Sequence, residues 1–218
     1  MSEIGSKRLK EPEHVRVYKR VRDMILFGEL TPGGAVTIQG LTEVLGAGMT
    51  PVREAIRRLT TEGALVFQGN RRVYVPELAL DQLEELSYAR LALEPKLAYW
   101  ATEKITPSQL CELEILNNAI DATIRHGNVR EYLIQNHNFH MAIYKMANKN
   151  ELLPIVERLW LRIGPSMRIV VGCLGTSNLP DMHQMVLEGL RNNQPDVVEE
   201  AMRQDMMQGI DSIKSSMK

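Results

Sequence analysis

Aromatic side chains are scarce in this 218-residue chain: 3 Phe, 2 Trp and 6 Tyr, 5% in all. With so little aromatic bulk, and with 12 Met, the interior is predicted to be aliphatic and helical. The two cysteines, Cys111 and Cys173, stand far apart without motif spacing. That excludes a disulfide framework and fits a reducing cytosol. The N-terminal stretch MSEIGSKRLKEPEH lacks the apolar core of a signal peptide, and no later run reaches membrane-spanning length. The expectation is a soluble cytoplasmic protein with no membrane partner. No internal repeat or low-complexity tract interrupts the chain.

What is present is an ordinary globular balance, 44% hydrophobic and 24% charged, enough for one large domain or two smaller ones. The net charge of −1 hides a split. Residues 1–78 carry 12 Lys/Arg against 9 Asp/Glu, whereas residues 79–218 carry 14 against 18. A basic front and an acidic rear point to two jobs, with any nucleic acid meeting the front. The expected division is a flexible lead at 1–12, a DNA-binding unit at 13–78 and a helical unit at 79–218.

In the front, HVRVYKRVRDMILF (14–27) sets Val17, Val21, Met24 and Ile25 at helical spacing, and Gly28 stops the helix. ELTPGGAV then reads as an extended, turn-rich link. Thr37 caps a short helix, IQGLTEVLG, and after GAGM comes a second, TPVREAIRRLTTEGALV. Thr50 is its expected N-cap, Pro51 its first turn and Gly63 its end. Two short helices across a tight turn form a helix-turn-helix, whose second helix here carries Arg53, Arg57 and Arg58. Arg53 lies in the first turn, where recognition helices reach base edges, and arginine can grip guanine through two hydrogen bonds. LVFQ and RRVYVP then read as strands around Gly69-Asn70, a hairpin with Arg71 and Arg72 at its tip. The order of helix, turn, arginine helix and basic hairpin outweighs the plainer reading of a solvated basic face. It describes a winged helix.

On these residues, MTPVREAIRRLTTEGALV resembles the GntR family of bacterial transcription regulators. Thr50-Pro51-Val52-Arg53-Glu54-Ala55 keeps the family run, and Gly63, Leu65 and Val66 keep most of its exit. Gly48 and Met49 stand where the family has a Ser/Thr-Arg pair that commonly touches DNA. With the helix-turn-helix reading, the resemblance implies a DNA-facing set of Gln39, Met49, Thr50, Arg53, Arg57, Arg58, Asn70 and Arg71. The implied partner is double-stranded operator DNA.

From Leu80 on, about six helices follow, each with an apolar stripe. Polar residues that fall on those stripes are the exceptions. At about 100° per residue, Asn136 and His140 lie inside the apolar face of helix 131–147, and His137 falls toward its edge. His183 flanks the stripe of helix 181–192, Asp205 sits beside that of 196–214, and Arg90 lies near the centre of that of 80–103, one turn before Glu94. Four helices each pointing a polar group inward need partners for those groups, because unpaired burial is costly. Two imidazoles, a carboxylate and an amide oxygen suit a divalent transition metal such as zinc or nickel. Arg90 would offer an anionic ligand a bidentate grip. Two plainer readings stay open: Arg90 and Glu94 pairing with each other, and His183 as a half-exposed helix-start residue.

This region resembles the all-helical FCD effector domain of the FadR-type branch. Asn136-His137-Asn138-Phe139-His140 fits the branch's acidic-or-Asn, Phe-His pattern. His183 matches its second histidine, and Asp205 replaces its third. The resemblance implies a metal held by Asn136, His140, His183 and Asp205, a small carboxylate effector near Arg90, and a homodimer. Carboxylate for imidazole at 205 shifts the preference toward harder ions. The expected fold is mostly α, a winged helix followed by an all-α bundle, and the expected function a ligand-responsive regulator, by default a repressor. The alternative is a metal-dependent enzyme with a two-His, one-carboxylate site.

Overall fold

The computed structural model describes residues 11–68, 72–174 and 181–217, with side chains described outside 169–174. Helix α1, Glu13–Leu26, buries Val17, Val21, Met24, Ile25 and Leu26, the stripe expected from the spacing. Helix α2, Ile38–Leu45, is capped by Thr37, whose hydroxyl accepts from the Gly40 N–H at 3.0 Å. Helix α3, Met49–Thr61, packs Val52, Ala55, Ile56 and Leu59 against α1. It starts one residue before the expected cap: Gly48 is the N-cap and makes no side-chain bond, so Thr50 lies inside the first turn.

The wing is a three-stranded antiparallel sheet in the order β1 (Ala35–Val36), β3 (Arg72–Tyr74), β2 (Val66–Gln68). Strand β1 falls in the stretch read from sequence as a link. Two residues are too few to show a period-two pattern, yet Ala35 pairs with Tyr74 and Val36 with Val73. The hairpin turn at Gly69, Asn70 and Arg71 lies outside the described residues.

Six helices follow: α4 (Leu80–Thr102), α5 (Pro107–Arg125), α6 (Val129–Met146), α7 (Leu153–Leu174), α8 (Met182–Arg191) and α9 (Pro195–Ser216). Their starts follow cap chemistry. Thr106 accepts from the Gln109 N–H, Asn128 from that of Glu131 and Asp181 from that of Gln184. Helix α4 packs on α9, α5 on α6 and α8 on α9, so the inward faces of α4, α6, α8 and α9 meet around one centre. Among the described residues no helix is long and apolar enough to cross a membrane.

Candidate metal centre and DNA-reading surface

At the bundle centre two imidazole nitrogens and the two oxygens of one carboxylate converge. His140 Nε2 lies 3.3 Å from His183 Nε2 and 3.2 Å from Asp205 Oδ2, and His183 Nε2 lies 3.3 Å from Asp205 Oδ1. Tetrahedral zinc bonded to nitrogen and oxygen at about 2.0–2.1 Å separates its ligands by roughly 3.3–3.4 Å. The three residues therefore fit an ion of that size. His140 and His183 are buried, while the Asp205 side chain keeps 22% exposure. His183, at the start of α8, is not the half-exposed residue its helix-start position allowed. Asn136 is buried one turn before His140.

Hydrogen bonding sets the tautomer of His140. The Tyr144 hydroxyl donates to Glu94 Oε2 at 2.7 Å, which leaves its oxygen to accept from His140 Nδ1 at 3.1 Å. A proton on Nδ1 leaves the Nε2 lone pair facing the centre, the arrangement a metal-binding imidazole requires. Burial alone would raise the Asp205 carboxyl, but positive charge or a proton on the facing His183 and His140 rings, with Arg90, would bring it down to about 2. Burial lowers His183 more than Asp205 raises it, which keeps that ring neutral and able to ligate.

Arg90 and Glu94 form the ion pair left open by the sequence. Arg90 Nε and Nη2 donate to Glu94 Oε1 and Oε2 at 2.5 and 3.2 Å, and both residues are buried. Glu94 is fully buried and also accepts from Tyr144 and from Trp160 Nε1, the latter at 2.9 Å. The Arg90 guanidinium lies 4.7 Å from the Trp160 ring centroid. Sequence reasoning missed Tyr144 and Trp160. Tyr144 carried a signal, since it stands one turn after His140; Trp160 had none, because no inward-facing polar residue was read on its helix from the sequence.

His137, on the edge of the stripe, turns away from this centre. Its ring lies between Phe27 of α1 (5.7 Å) and Trp160 (5.3 Å), and neither ring nitrogen has a partner among the described residues. Burial, helped by Arg22 and His140, pushes its pKa from 6.5 down to about 3. In the unfolded chain this ring takes up a proton near pH 6.5, whereas in the folded chain it does not until about pH 3. Stability is therefore lost as pH falls through that window. His137→Phe is expected to flatten this part of the pH dependence, read from urea melts at pH 7.5 and 4.5. An equal acid loss in both proteins would assign it elsewhere.

On the front, Arg53 is exposed and has no ion pair among the described residues. Arg57 is exposed and pairs with Glu54 at 2.6 Å. Arg58 lies about 140° around the helix from Arg53. It sits 3.7 Å over the Tyr18 ring and bonds Glu62 at 3.0 Å, so it ties α3 to α1. Met49, 54% exposed, and Thr50 stand at the open start of α3, while exposed Gln39 donates to Glu43. Arg53, Arg57 and Arg72 border a cleft of about 550 Å³ between α3 and the sheet.

Two family descriptions match the chain: "Bacterial regulatory proteins, gntR family" over residues 14–75 and "FCD domain" over 85–207. The chain is 31% identical to the HTH-type transcriptional regulator McbR of Escherichia coli (strain K12) over 165 residues, 76% of this chain and 75% of that one. This chain belongs to the GntR family, in its FadR-type branch with an FCD domain. It is also 23% identical to the HTH-type transcriptional repressor RspR of the same organism over 208 residues, 94% of this chain and 90% of that one. The solved structure of E. coli McbR/YncC superposes with a TM-score of 0.90 at 26% identity, covering 96% of this chain and all of that one. GntR-family proteins with this domain pair are DNA-binding transcription regulators. The alternative of a metal-dependent enzyme is set aside, because it leaves the winged helix without a purpose.

Proposed function

We propose that this GntR-family protein is a ligand-responsive repressor that binds a symmetric operator as a homodimer and senses a small carboxylate through a divalent metal. Residues 13–78 read the operator, and residues 79–218 bind metal and effector and dimerise. The observation that carries the reading is the convergence of His140, His183 and Asp205 to 3.2–3.3 Å. Donor atoms so close need a proton or a cation between them; with His140 Nε2 bare, one proton on His183 Nε2 can bridge only one of these contacts, whereas a cation satisfies all of them. His140, His183 and Asp205, with Asn136 beside them, would hold the ion, which supplies Lewis acidity toward an effector carboxylate.

Arg90 adds positive charge beside that carboxylate, though only through what its pairing with Glu94 leaves free. The effector binds more tightly when Arg90 is present, and Arg90→Met lowers its affinity by about tenfold, the equivalent of roughly 1.4 kcal/mol. Calorimetric titration of the metal-loaded variant with a panel of short carboxylates checks this. Equal affinities would leave Arg90 a structural partner of Glu94.

Dimerisation gives two readers on a two-fold operator, with spacing fixed by the symmetry. Effector binding acts on DNA only to the extent that its affinity differs between the two dimer shapes. The test is selection of DNA from a random pool by the full chain, with and without zinc. Enrichment of an inverted repeat supports the reading, and recovery of no shared sequence overturns it.

A further inference from the structure

Helix α7 belongs to the effector domain, yet several of its side chains are engaged with the DNA-reading domain. Trp160, Gly164 and Arg168 follow at four-residue intervals and so share one stripe, while Arg162 points from the other side. Trp160 reaches the polar centre through its bond to Glu94 and touches His140, with ring centroids 5.2 Å apart. The same indole meets His137 edge to face, and His137 in turn meets Phe27 edge to face at the end of α1.

One turn on, Gly164 lies against the α1 terminus so closely that a Cβ would clash with the Leu26 carbonyl oxygen. The stem of Arg168 covers Gly28, whose φ of +66 lets the chain leave α1, and a Cβ there would meet Arg168 Cδ at 2.5 Å. On the other side, Arg162 Nη1 donates to the Gly63 carbonyl at 2.9 Å, just past the end of α3. Arg162 and Arg168 have no carboxylate partner among the described residues, and Arg162 Nε and Arg168 Nη1 are buried without a hydrogen bond.

The Arg162 guanidinium thus sits at the C-terminal end of α3 and the Arg168 stem at that of α1, where the helix dipoles are negative. Gly164 is followed by Pro165, which has no N–H, so α7 lacks one helical bond where it crosses α1. A helix weakened there can take up more than one packing.

We infer that α7 sets the position of the DNA-reading domain relative to the metal centre, with Arg162, Gly164 and Arg168 as positioning residues for operator binding. Among the described residues none of the three makes a hydrogen bond or ion pair with the polar centre or the exposed face of α3. A displacement of Trp160 at the centre moves Gly164 against Leu26 and Arg162 against Gly63 together, since all are on one helix. The inference rests on the proposed repressor reading for its purpose, but its geometry does not depend on a metal.

The test uses the full chain and DNA enriched by the wild-type protein, with the spacer between half-sites varied one base pair at a time. Wild type is expected to prefer one spacer by about tenfold or more, because rigidly held readers gain from simultaneous contact only when the spacing fits. Gly164→Ala and Arg162→Met are expected to reduce that preference to about threefold or less. Both should keep the base preference within each half-site, and Arg162→Lys, which still reaches a carbonyl, should restore part of it. Heat-capacity scans without DNA supply a second readout: one unfolding transition in wild type, two in Gly164→Ala. Unchanged spacer preference in Arg162→Met, together with a single transition in Gly164→Ala, overturns the inference. If no DNA is enriched the repressor reading fails, and the scans alone then decide whether α7 couples the domains.

Discussion

Replacing Arg53 with alanine is expected to abolish specific operator binding while leaving the fold intact. Arg53 is the arginine at the start of α3 that is both exposed and without an ion-pair partner among the described residues. A bidentate arginine–guanine contact carries about 1–3 kcal/mol of base discrimination, and the proposed dimer would lose it twice, so roughly 2–6 kcal/mol disappears. That is about 30-fold to more than 10⁴-fold in affinity. As a surface change, its effect on stability stays within about 0.5 kcal/mol. Arg57→Ala is expected to cost less, because Arg57 must first release Glu54. Gel shifts on the selected operator measure both, and undiminished affinity in Arg53→Ala would move the base contact to another residue.

Glu94→Ala should be the most destabilising single change at the polar centre. Glu94 is fully buried and accepts four hydrogen bonds, two from Arg90 and one each from Tyr144 and Trp160. Removing it leaves a buried guanidinium, a phenol and an indole N–H without their acceptor. Breaking one side of a buried pair costs roughly 3–5 kcal/mol. In a chain of this size each kcal/mol lowers Tm by about 2–4 °C, so a drop on the order of 10 °C is expected. Adding Arg90→Met removes the orphaned charge and should return part of that loss, a coupling that a double-mutant cycle reads directly. Additive losses would mean that the two residues do not stabilise each other.

The helices and the winged helix were legible because period and punctuation agreed at each place. Thr37, Thr106, Asn128 and Asp181 cap the helices that follow them, and the apolar stripes of α1 and α3 are the faces buried. The first residue of α3 was misplaced because a Thr-Pro pair is a stronger local signal than Gly48, whose cap uses no side chain. Strand β1 was hidden because only its pairing with β3, almost forty residues later, makes it a strand.

At the polar centre the wheel positions of Asn136, His140, His183, Asp205 and Arg90 identified inward residues, but a wheel does not show who meets whom. The pairing of Arg90 with Glu94 and the Tyr144 bond that sets the His140 tautomer depend on how four helices pack. The role of Arg58 was obscured for a similar reason. Its charge fits DNA, but its position on the wheel puts it against Tyr18.

The metal content of full-length protein, purified without chelator or affinity-tag nickel and measured beside His140→Ala, tests the central claim most directly. About one divalent ion per chain is expected in wild type, as for a three-donor site of this size, and its loss in the variant. No metal in wild type, even after incubation with zinc, would contradict that claim and leave His140, His183 and Asp205 as a hydrogen-bonded core.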